Sequence, residues 1–176
     1  MFGVLFVCTG NICRSPTAEG VFRVLAAEGG LGPLVSTGSA GTHDYHVGEP
    51  PDPRSQAVAA RHGIDISGQR ARLLAAADFS RHELLVAMDR GHEAVLRRRC
   101  PPDRFDRIRL FMDYLPGEGL RDVPDPYYRG AEDFERVFDL IVRGARAILD
   151  EVRVRLGCDA ATPDRSGVAL RSGCAG

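Results

Sequence analysis

Four short apolar runs alternate along the chain with segments of helical periodicity. The runs cover Phe2–Val7, Leu34–Ser39, Glu83–Met88 and Arg107–Phe111, and their length and composition are typical of buried strands. Strands that alternate with helices form parallel sheets covered on both faces. The pattern therefore predicts an α/β domain, in which ligands bind beyond the carboxyl ends of the strands.

Apolar positions between these runs recur at spacings of three and four, which predicts helices. The first helix ends near Gly29-Gly30, and Asp52 and Gly63 bound the second. Asp89 caps a third helix that runs to Arg99. The last predicted helix carries one apolar stripe over five turns, made of Phe134, Val137, Phe138, Ile141, Ala145, Ile148, Leu149 and Val152.

Two segments lack this periodicity. Residues 113–128 are rich in Pro, Gly, Asp and Tyr and predict one long loop, which in a compact domain is often functional. Beyond Gly157 the chain becomes polar and small. We therefore expect a domain of residues 1–156 and a flexible tail of residues 157–176.

Composition narrows the possible partners. A length of 176 residues suits one domain. We expect the protein to be a monomer. The net charge of −1 provides no field that would recruit nucleic acid or an anionic membrane. All 23 basic residues are arginine, which excludes chemistry that depends on lysine.

The cysteines favour a reducing compartment. They are odd in number and form no zinc-type pattern, lying at Cys8, Cys13, Cys100, Cys158 and Cys174. The chain begins with a strand and has no secretory leader pattern, so we expect a cytoplasmic protein without a bound metal, although export without a leader stays open.

Cys8 and Arg14 frame the most informative segment of the sequence. Cys8 ends the first predicted strand, and Arg14 starts the helix that follows. Backbone N–H groups of the intervening loop can turn inward and hold a tetrahedral oxyanion beside the sulfur. The helix N-terminus and Arg14 both favour the thiolate, and Ser15 is placed to donate to it.

The residues inside this loop suit the same task. We expect the phosphate to be bound by the loop residues Thr9, Gly10, Asn11, Ile12, Cys13 and Arg14. Gly10 allows the backbone to turn where a Cβ would clash, and Asn11 can brace the loop through its side chain. The planar fork of Arg14 matches two phosphoryl oxygens.

The stretch Val4–Pro16, VLFVCTGNICRSP, resembles the active-site signature of the low-molecular-weight protein tyrosine phosphatases of the bacterial type. The likeness extends over roughly residues 2–156 and includes STGSAGT at 36–42, VG at 47–48, DPR at 52–54, AMD at 87–89 and DPYY at 125–128. It implies a flavodoxin-like three-layer sandwich, with a four-stranded parallel sheet of order 2-1-3-4 flanked by helices. It also implies a reaction without metal or cofactor, acting on tyrosine-phosphorylated proteins.

The general acid is the second requirement of this chemistry. A proton donor assists loss of a phenolate, whose conjugate acid has a pKa of about 10. Asp113, Asp122 and Asp125 all lie in the long segment, and the residues alone leave the choice among them open. The resemblance implies that Asp125 protonates the leaving group and then activates water against a phosphocysteine on Cys8.

The resemblance further implies a substrate pocket lined by Ile12, Tyr45, Tyr127 and Tyr128, with Tyr45 stacking on the aryl ring. Plain loop packing of the tyrosine pair, or its regulatory phosphorylation, stays open. Cys13 is close enough to Cys8 for a reversible disulfide, or is a small buried hydrophobe.

Gln69 departs from the family pattern, since relatives commonly carry a histidine there, so the resemblance does not imply for this chain any support which that histidine gives the loop. The chain's own five histidines have no ligand spacing, and we interpret them as structural or surface groups.

Three alternatives use the same loop. An arsenate reductase needs resolving cysteines near the first one, and Cys100, Cys158 and Cys174 are not so placed in sequence. A protein-arginine phosphatase is associated with threonine at the position of Ile12. A phosphate-binding module without catalysis would need neither a thiolate nor an acid.

Overall fold

A computed structural model describes residues 1–158 of the chain. Four parallel strands form the central sheet in the order β2-β1-β3-β4. They are β1 (Phe2–Cys8), β2 (Val35–Gly41), β3 (Leu84–Ala87) and β4 (Ile108–Leu110). The predicted fold class and strand order are confirmed, and each predicted strand is present with ends shifted by at most a few residues.

Five α-helices surround the sheet among the described residues. They are α1 (Arg14–Glu28), α2 (Pro53–Arg61), α3 (Asp78–Arg81), α4 (Arg90–Arg99) and α5 (Ala131–Arg155). Asp52 and Asp89 cap α2 and α4 as predicted, each accepting a backbone N–H of the first turn. The single turn of α3 was not predicted, because four residues are too few to display a helical period.

The segment predicted as one loop from 113 to 128 is more ordered than expected. Two short 3-10 helices occupy part of it, at Phe111–Tyr114 and Pro116–Glu118. Its later part is tied to the sheet, because the backbone N–H of Val123 donates to the carbonyl of Met88 at 2.9 Å. This bond fixes residues 123–128 beside the carboxyl end of β3.

The two faces of the sheet bury separate cores. Val4, Phe6 and Cys8 of β1 pack into the layer that contains α1 and α5. Leu5 and Val7 point the other way, into a smaller core with α3 and α4. This alternation is the period-two pattern of a strand buried on both sides, and it directs the Cys8 side chain toward α1.

The carboxyl edge of the sheet collects the segments that carry chemistry. Cys8 and Gly41 are paired at the ends of β1 and β2, and α1 and α4 both begin at this edge. Among residues 1–158, no helix is both long and apolar enough to cross a membrane. The predicted tail from 157 falls almost wholly outside the described residues and stays a prediction.

Candidate active site

Cys8 lies at the bottom of a pocket and is only 3 % exposed. Its Sγ is 3.0 Å from the hydroxyl oxygen of Ser15, which is fully buried. The Asn11 amide already donates to that oxygen at 2.9 Å. The hydroxyl hydrogen of Ser15 is therefore left to donate to the sulfur, and a donor at this distance stabilises a thiolate.

Asn11 braces the loop through every polar atom of its side chain. Its Nδ2 donates to the hydroxyls of Ser15 and Ser39, at 2.9 and 2.8 Å, and its Oδ1 accepts the backbone N–H of Arg72 at 3.0 Å. Ser39 in turn donates to Glu19 at 2.6 Å. Burial raises the pKa of Glu19, so this chain of bonds ends on a carboxyl group with weakened acidity.

The backbone turn of the loop occurs at Asn11 rather than at Gly10. Asn11 has a φ of 56°, the one left-handed non-glycine residue in the described part of the chain. Gly10 is needed for a different reason, since a Cβ there would approach the His46 ring to 2.9 Å. The predicted clash of a Cβ at Gly10 agrees with the structure, whereas the left-handed conformation of Asn11 was not predicted.

Arg14 is buried beneath the pocket with its guanidinium held on several sides. Nη1 donates to Asp89 at 3.0 Å and to the carbonyl of Val123 at 3.2 Å. Nη2 donates to Asp125 at 2.9 Å. The Asp125 side chain is half-exposed, and it lines the same pocket as Cys8 and Arg14. Asp125, which was predicted separately from the loop of Cys8 and Arg14, thus meets both of them in one place.

Asp89 was assigned only a capping role from the sequence. One carboxylate oxygen faces His92 and the other accepts from Arg14. Burial by itself would raise the pKa of Asp89, but hydrogen bonding and charge from His92, together with Arg14, hold that pKa well below its usual range. Its position after the third strand, next to β1 in the sheet, is the signal that could have identified it.

The pocket has a volume of about 150 Å³ and aromatic walls. Its lining includes all four predicted pocket residues, Ile12, Tyr45, Tyr127 and Tyr128. Tyr45 is 69 % and Tyr128 is 94 % exposed, so both stand at the rim.

His46 also lines the pocket and was not predicted to do so. Its Nδ1 is 2.7 Å from a carboxylate oxygen of Glu49. Its ring lies 6.1 Å from that of Tyr127. No spacing in the sequence distinguishes this histidine from the other four, because its contact with the loop is made only in the folded chain.

Cys13 is buried beside the loop, and both it and Cys8 are free thiols. Burial raises the pKa of the Cys13 thiol to about 12, with further contributions from the negative charge of Asp52 and of Cys8. Cys13 therefore keeps its proton at neutral pH.

Gln69 does not replace a histidine contact to the loop. Within residues 1–158, neither of its buried amide atoms has a hydrogen-bond partner. The bracing of Asn11 comes instead from the backbone of Arg72 and the hydroxyl of Ser39. In the same described part of the chain, no group of three or more acidic, His or Cys side chains is arranged to hold a metal ion.

Comparison with known proteins identifies relatives across the whole domain. A profile of the family described as low molecular weight phosphotyrosine protein phosphatase matches residues 3–156. A low molecular weight protein-tyrosine-phosphatase of Streptomyces coelicolor is 46 % identical over 155 residues, which cover 86 % of this chain and 94 % of that protein.

Solved structures agree with this relationship. The crystal structure of YfkJ from Bacillus subtilis superposes with a TM-score of 0.83 and 39 % identity, covering 88 % of this chain and 96 % of that one. Vibrio vulnificus Wzb, solved in complex with benzylphosphonate, superposes with a TM-score of 0.75 and 30 % identity, covering 85 % and 98 %. The chain therefore belongs to the low-molecular-weight phosphotyrosine protein phosphatase family.

Proposed function

We propose that the protein hydrolyses phosphotyrosine in proteins, and small aryl phosphates, through a phosphocysteine on Cys8. The observation that carries this proposal is the convergence of the Cys8 sulfur, the Arg14 guanidinium and the Asp125 carboxylate on one pocket. A nucleophile, an anion-binding fork and a proton donor are the three parts that this reaction needs.

Arg14 and the loop amides bind the phosphoryl group. The loop residues from Thr9 to Cys13 lead into the N-terminus of α1, where backbone N–H groups favour an anion. Phosphoryl oxygens compete with Asp125 for Nη2 of Arg14, because a dianion binds the fork more strongly than one carboxylate. Substrate binding thus frees Asp125 to face the leaving oxygen.

In the first step the Cys8 thiolate attacks phosphorus as the bond to the aryl oxygen breaks. Asp125 gives its proton to that oxygen, so the product leaves as a phenol. In the second step the Asp125 carboxylate takes a proton from water, whose oxygen attacks phosphorus while the sulfur–phosphorus bond breaks. Inorganic phosphate leaves, and the hydroxyl of Ser15 stabilises the returning thiolate.

The walls of the pocket favour an aryl ester. Tyr45 and the Tyr127–Tyr128 pair present rings at the rim, and Ile12 adds an apolar side chain below them. A phenyl ring packs well between aromatic faces and edges. The benzylphosphonate in the Wzb structure resembles an aryl phosphate, because it also joins an aromatic ring to a tetrahedral phosphorus group.

Rapid quenching with an aryl phosphate tests this function. We expect a burst of phenol equal to the number of active sites and phosphate attached to Cys8. Cys8→Ser should abolish both signals, whereas Asp125→Ala should slow turnover by about 10²–10³ with substrate binding retained. Arsenate-dependent thiol oxidation without a phenol burst would instead indicate a reductase, and cleavage of phosphoarginine peptides alone would indicate an arginine phosphatase.

A relay of thiols, as a reductase needs, has little support within residues 1–158. Cys100 packs in the opposite layer, in the core of Leu74 and Phe79, and Cys158 follows α5. Cys174 lies outside the described residues.

We also propose that Cys13 protects Cys8 from irreversible oxidation. Peroxide converts the Cys8 thiolate to a sulfenic acid, and the Cys13 thiol then condenses with it to give a disulfide and water. Both thiols are buried at the same loop, which supports this pairing. After peroxide and then a thiol reductant, we expect the parent enzyme to recover activity and Cys13→Ala to stay inactive with a sulfinic acid on Cys8; equal recovery would contradict the proposal.

The remaining expectations concern partners and location. We propose that the enzyme acts as a monomer on tyrosine-phosphorylated proteins. Light scattering of the purified chain would test the monomeric state.

We further propose a cytoplasmic location, since a catalytic thiolate is best preserved in a reducing compartment. Fractionation of cells that produce the chain would test it.

A further inference from the structure

His92 is the one histidine that the fold buries against the catalytic loop, and it is only 4 % exposed. Its Nε2 lies 2.9 Å from the hydroxyl of Thr9, the residue that follows the nucleophile. Its Nδ1 lies 2.9 Å from a carboxylate oxygen of Asp89. A buried titratable side chain thus joins α4 to the loop after β1.

The Thr9 hydroxyl joins His92 to Arg14. Its oxygen lies 2.9 Å from Nε2 of His92 and accepts from Nη2 of Arg14 at 3.4 Å. On the other side of His92, the backbone N–H of this residue donates to a carboxylate oxygen of Asp89 at 2.9 Å.

The four residues form a closed ring of contacts. Nη2 of Arg14 donates to the Thr9 hydroxyl, which is hydrogen-bonded to Nε2 of His92. The backbone N–H of His92 donates to Asp89, whose other oxygen accepts from Nη1 of Arg14 at 3.0 Å. Both terminal nitrogens of the guanidinium are therefore held by the same set of side chains. A connected polar network of this kind fixes orientation more firmly than separate pairs do.

We propose that His92 is a positioning residue that closes this ring and thereby fixes the guanidinium plane of Arg14 for the phosphoryl group. The inference rests on the proposed hydrolysis of aryl phosphates. The need for such a residue arises during binding, when phosphoryl oxygens take over the contact that Nη2 makes with Asp125. The ring then retains the guanidinium while its outer contact is exchanged.

A double-mutant cycle between His92 and Thr9 tests the proposal. The measured quantities are kcat and KM for an aryl phosphate and the inhibition constant of inorganic phosphate. The concentration of active sites used to calculate kcat is taken from the phenol burst. His92→Ala and Thr9→Val should each lower kcat/KM about tenfold and weaken phosphate inhibition, as expected for loss of a hydrogen bond that supports a charged group. The double variant should have a kcat/KM no lower than that of the less active single variant, because both substitutions open the same ring.

Conservative and control variants separate positioning from folding. Thr9→Ser and His92→Gln can retain the bond between the two side chains and should recover most of the activity. His82→Ala is the matched control, since His82 is also largely buried beside an aspartate, Asp78, but lies at the amino end of the sheet, next to Gly3. His82→Ala should lower the melting temperature and leave unchanged the kcat per active site, as counted by the phenol burst.

The possible failures are distinct. Absence of a phenol burst from the parent enzyme would overturn the proposed function itself. A normal burst, with His92→Ala within twofold of the parent in kcat/KM per active site, would overturn the role of His92 alone. Losses that multiply in the double variant would also overturn it, since they would mean that the two residues act independently.

Discussion

Asn11 holds the catalytic loop in a backbone conformation that a residue with a side chain adopts only when its surroundings compensate. The left-handed conformation of a non-glycine residue is unfavourable by about 1 kcal/mol. Here three side-chain hydrogen bonds, to Ser15, Ser39 and the backbone of Arg72, offset that penalty. The same residue thus sets the direction of the loop amides and orients the Ser15 hydroxyl toward Cys8.

Substitution of Asn11 should separate these two contributions. Asn11→Ala loses the three bonds and keeps the unfavourable φ, so we expect the free energy of unfolding to fall by about 2–3 kcal/mol. Asn11→Gly loses the same bonds but tolerates the backbone, and should be about 1 kcal/mol more stable than the alanine variant. Urea unfolding measures both; equal stability of the two variants would mean that the backbone conformation is not strained.

Among the helices and strands, the first turns of α2 and α4 hold the catalytic loop in place. Asp52 caps α2 by accepting the backbone N–H of Arg54 at 2.8 Å, and its own N–H donates to the carbonyl of Ile12. The start of α2 is therefore bonded to the catalytic loop as well as to its own first turn. The start of α4 is linked to the same loop through Asp89 and His92.

The cap at Asp52 should make stability depend on pH. Burial by itself would raise the pKa of this carboxyl group, but hydrogen bonds and charge from Arg54 outweigh it and the pKa is lowered. A lowered folded-state pKa stabilises the fold at pH values above the unfolded pKa, about 4, and that stabilisation is lost as the pH falls through the folded value. Asp52→Ala should therefore cost about 1–2 kcal/mol at pH 7.

Urea unfolding at a series of pH values checks this prediction. The difference between parent and Asp52→Ala should shrink as the pH falls below about 4, where the unfolded chain takes up a proton on Asp52 that the folded chain does not yet bind. Asp52→Asn is the control, because an amide can still cap the helix but carries no charge. A difference that stays constant down to the lowest pH at which the parent folds would contradict the assignment.

At the scale of the whole molecule, the site depends on packing between segments that are distant in sequence. Gly144 of α5 lies against the buried ring of Phe111, which follows β4 and precedes the segment that carries Asp125. A Cβ on Gly144 would overlap that ring. The close approach of α5 therefore helps to set where the segment from 111 to 128 leaves the sheet.

Gly144→Ala should destabilise the fold although alanine favours helices. The added methyl group must displace Phe111, because it would overlap more than one atom of that ring. Overpacking of this kind costs up to about 3 kcal/mol, and at so close a contact we expect the cost to exceed the gain of about 1 kcal/mol in helix propensity. Phe111→Leu in the same chain should recover part of the loss by removing ring atoms. Thermal unfolding measures the three variants; a Gly144→Ala variant as stable as the parent would show that the contact is loose.

The strands and the larger helices were predictable because periodicity and capping are local. Cys8, Arg14 and Ser15 were predicted from their order around one loop, and the choice of Asp125 over Asp113 and Asp122 rested on the family resemblance. The contacts that Asp89, His92 and His46 make with this loop and its pocket were not predicted, because they join elements far apart in sequence. Gln69 likewise gave no sign that its amide would lack a partner within residues 1–158.

The α/β pattern, the loop with Cys8 and Arg14, and the family resemblance could all be read from the amino-acid order, because they are encoded in short segments with characteristic spacing. Which other side chains lie against that loop depends on how the strands pack. Parallel strands bring the ends of β1 and β3 together, so that Asp89 and His92 reach Arg14 and Thr9. Those contacts depend on the register of the sheet, which no single segment of the chain specifies.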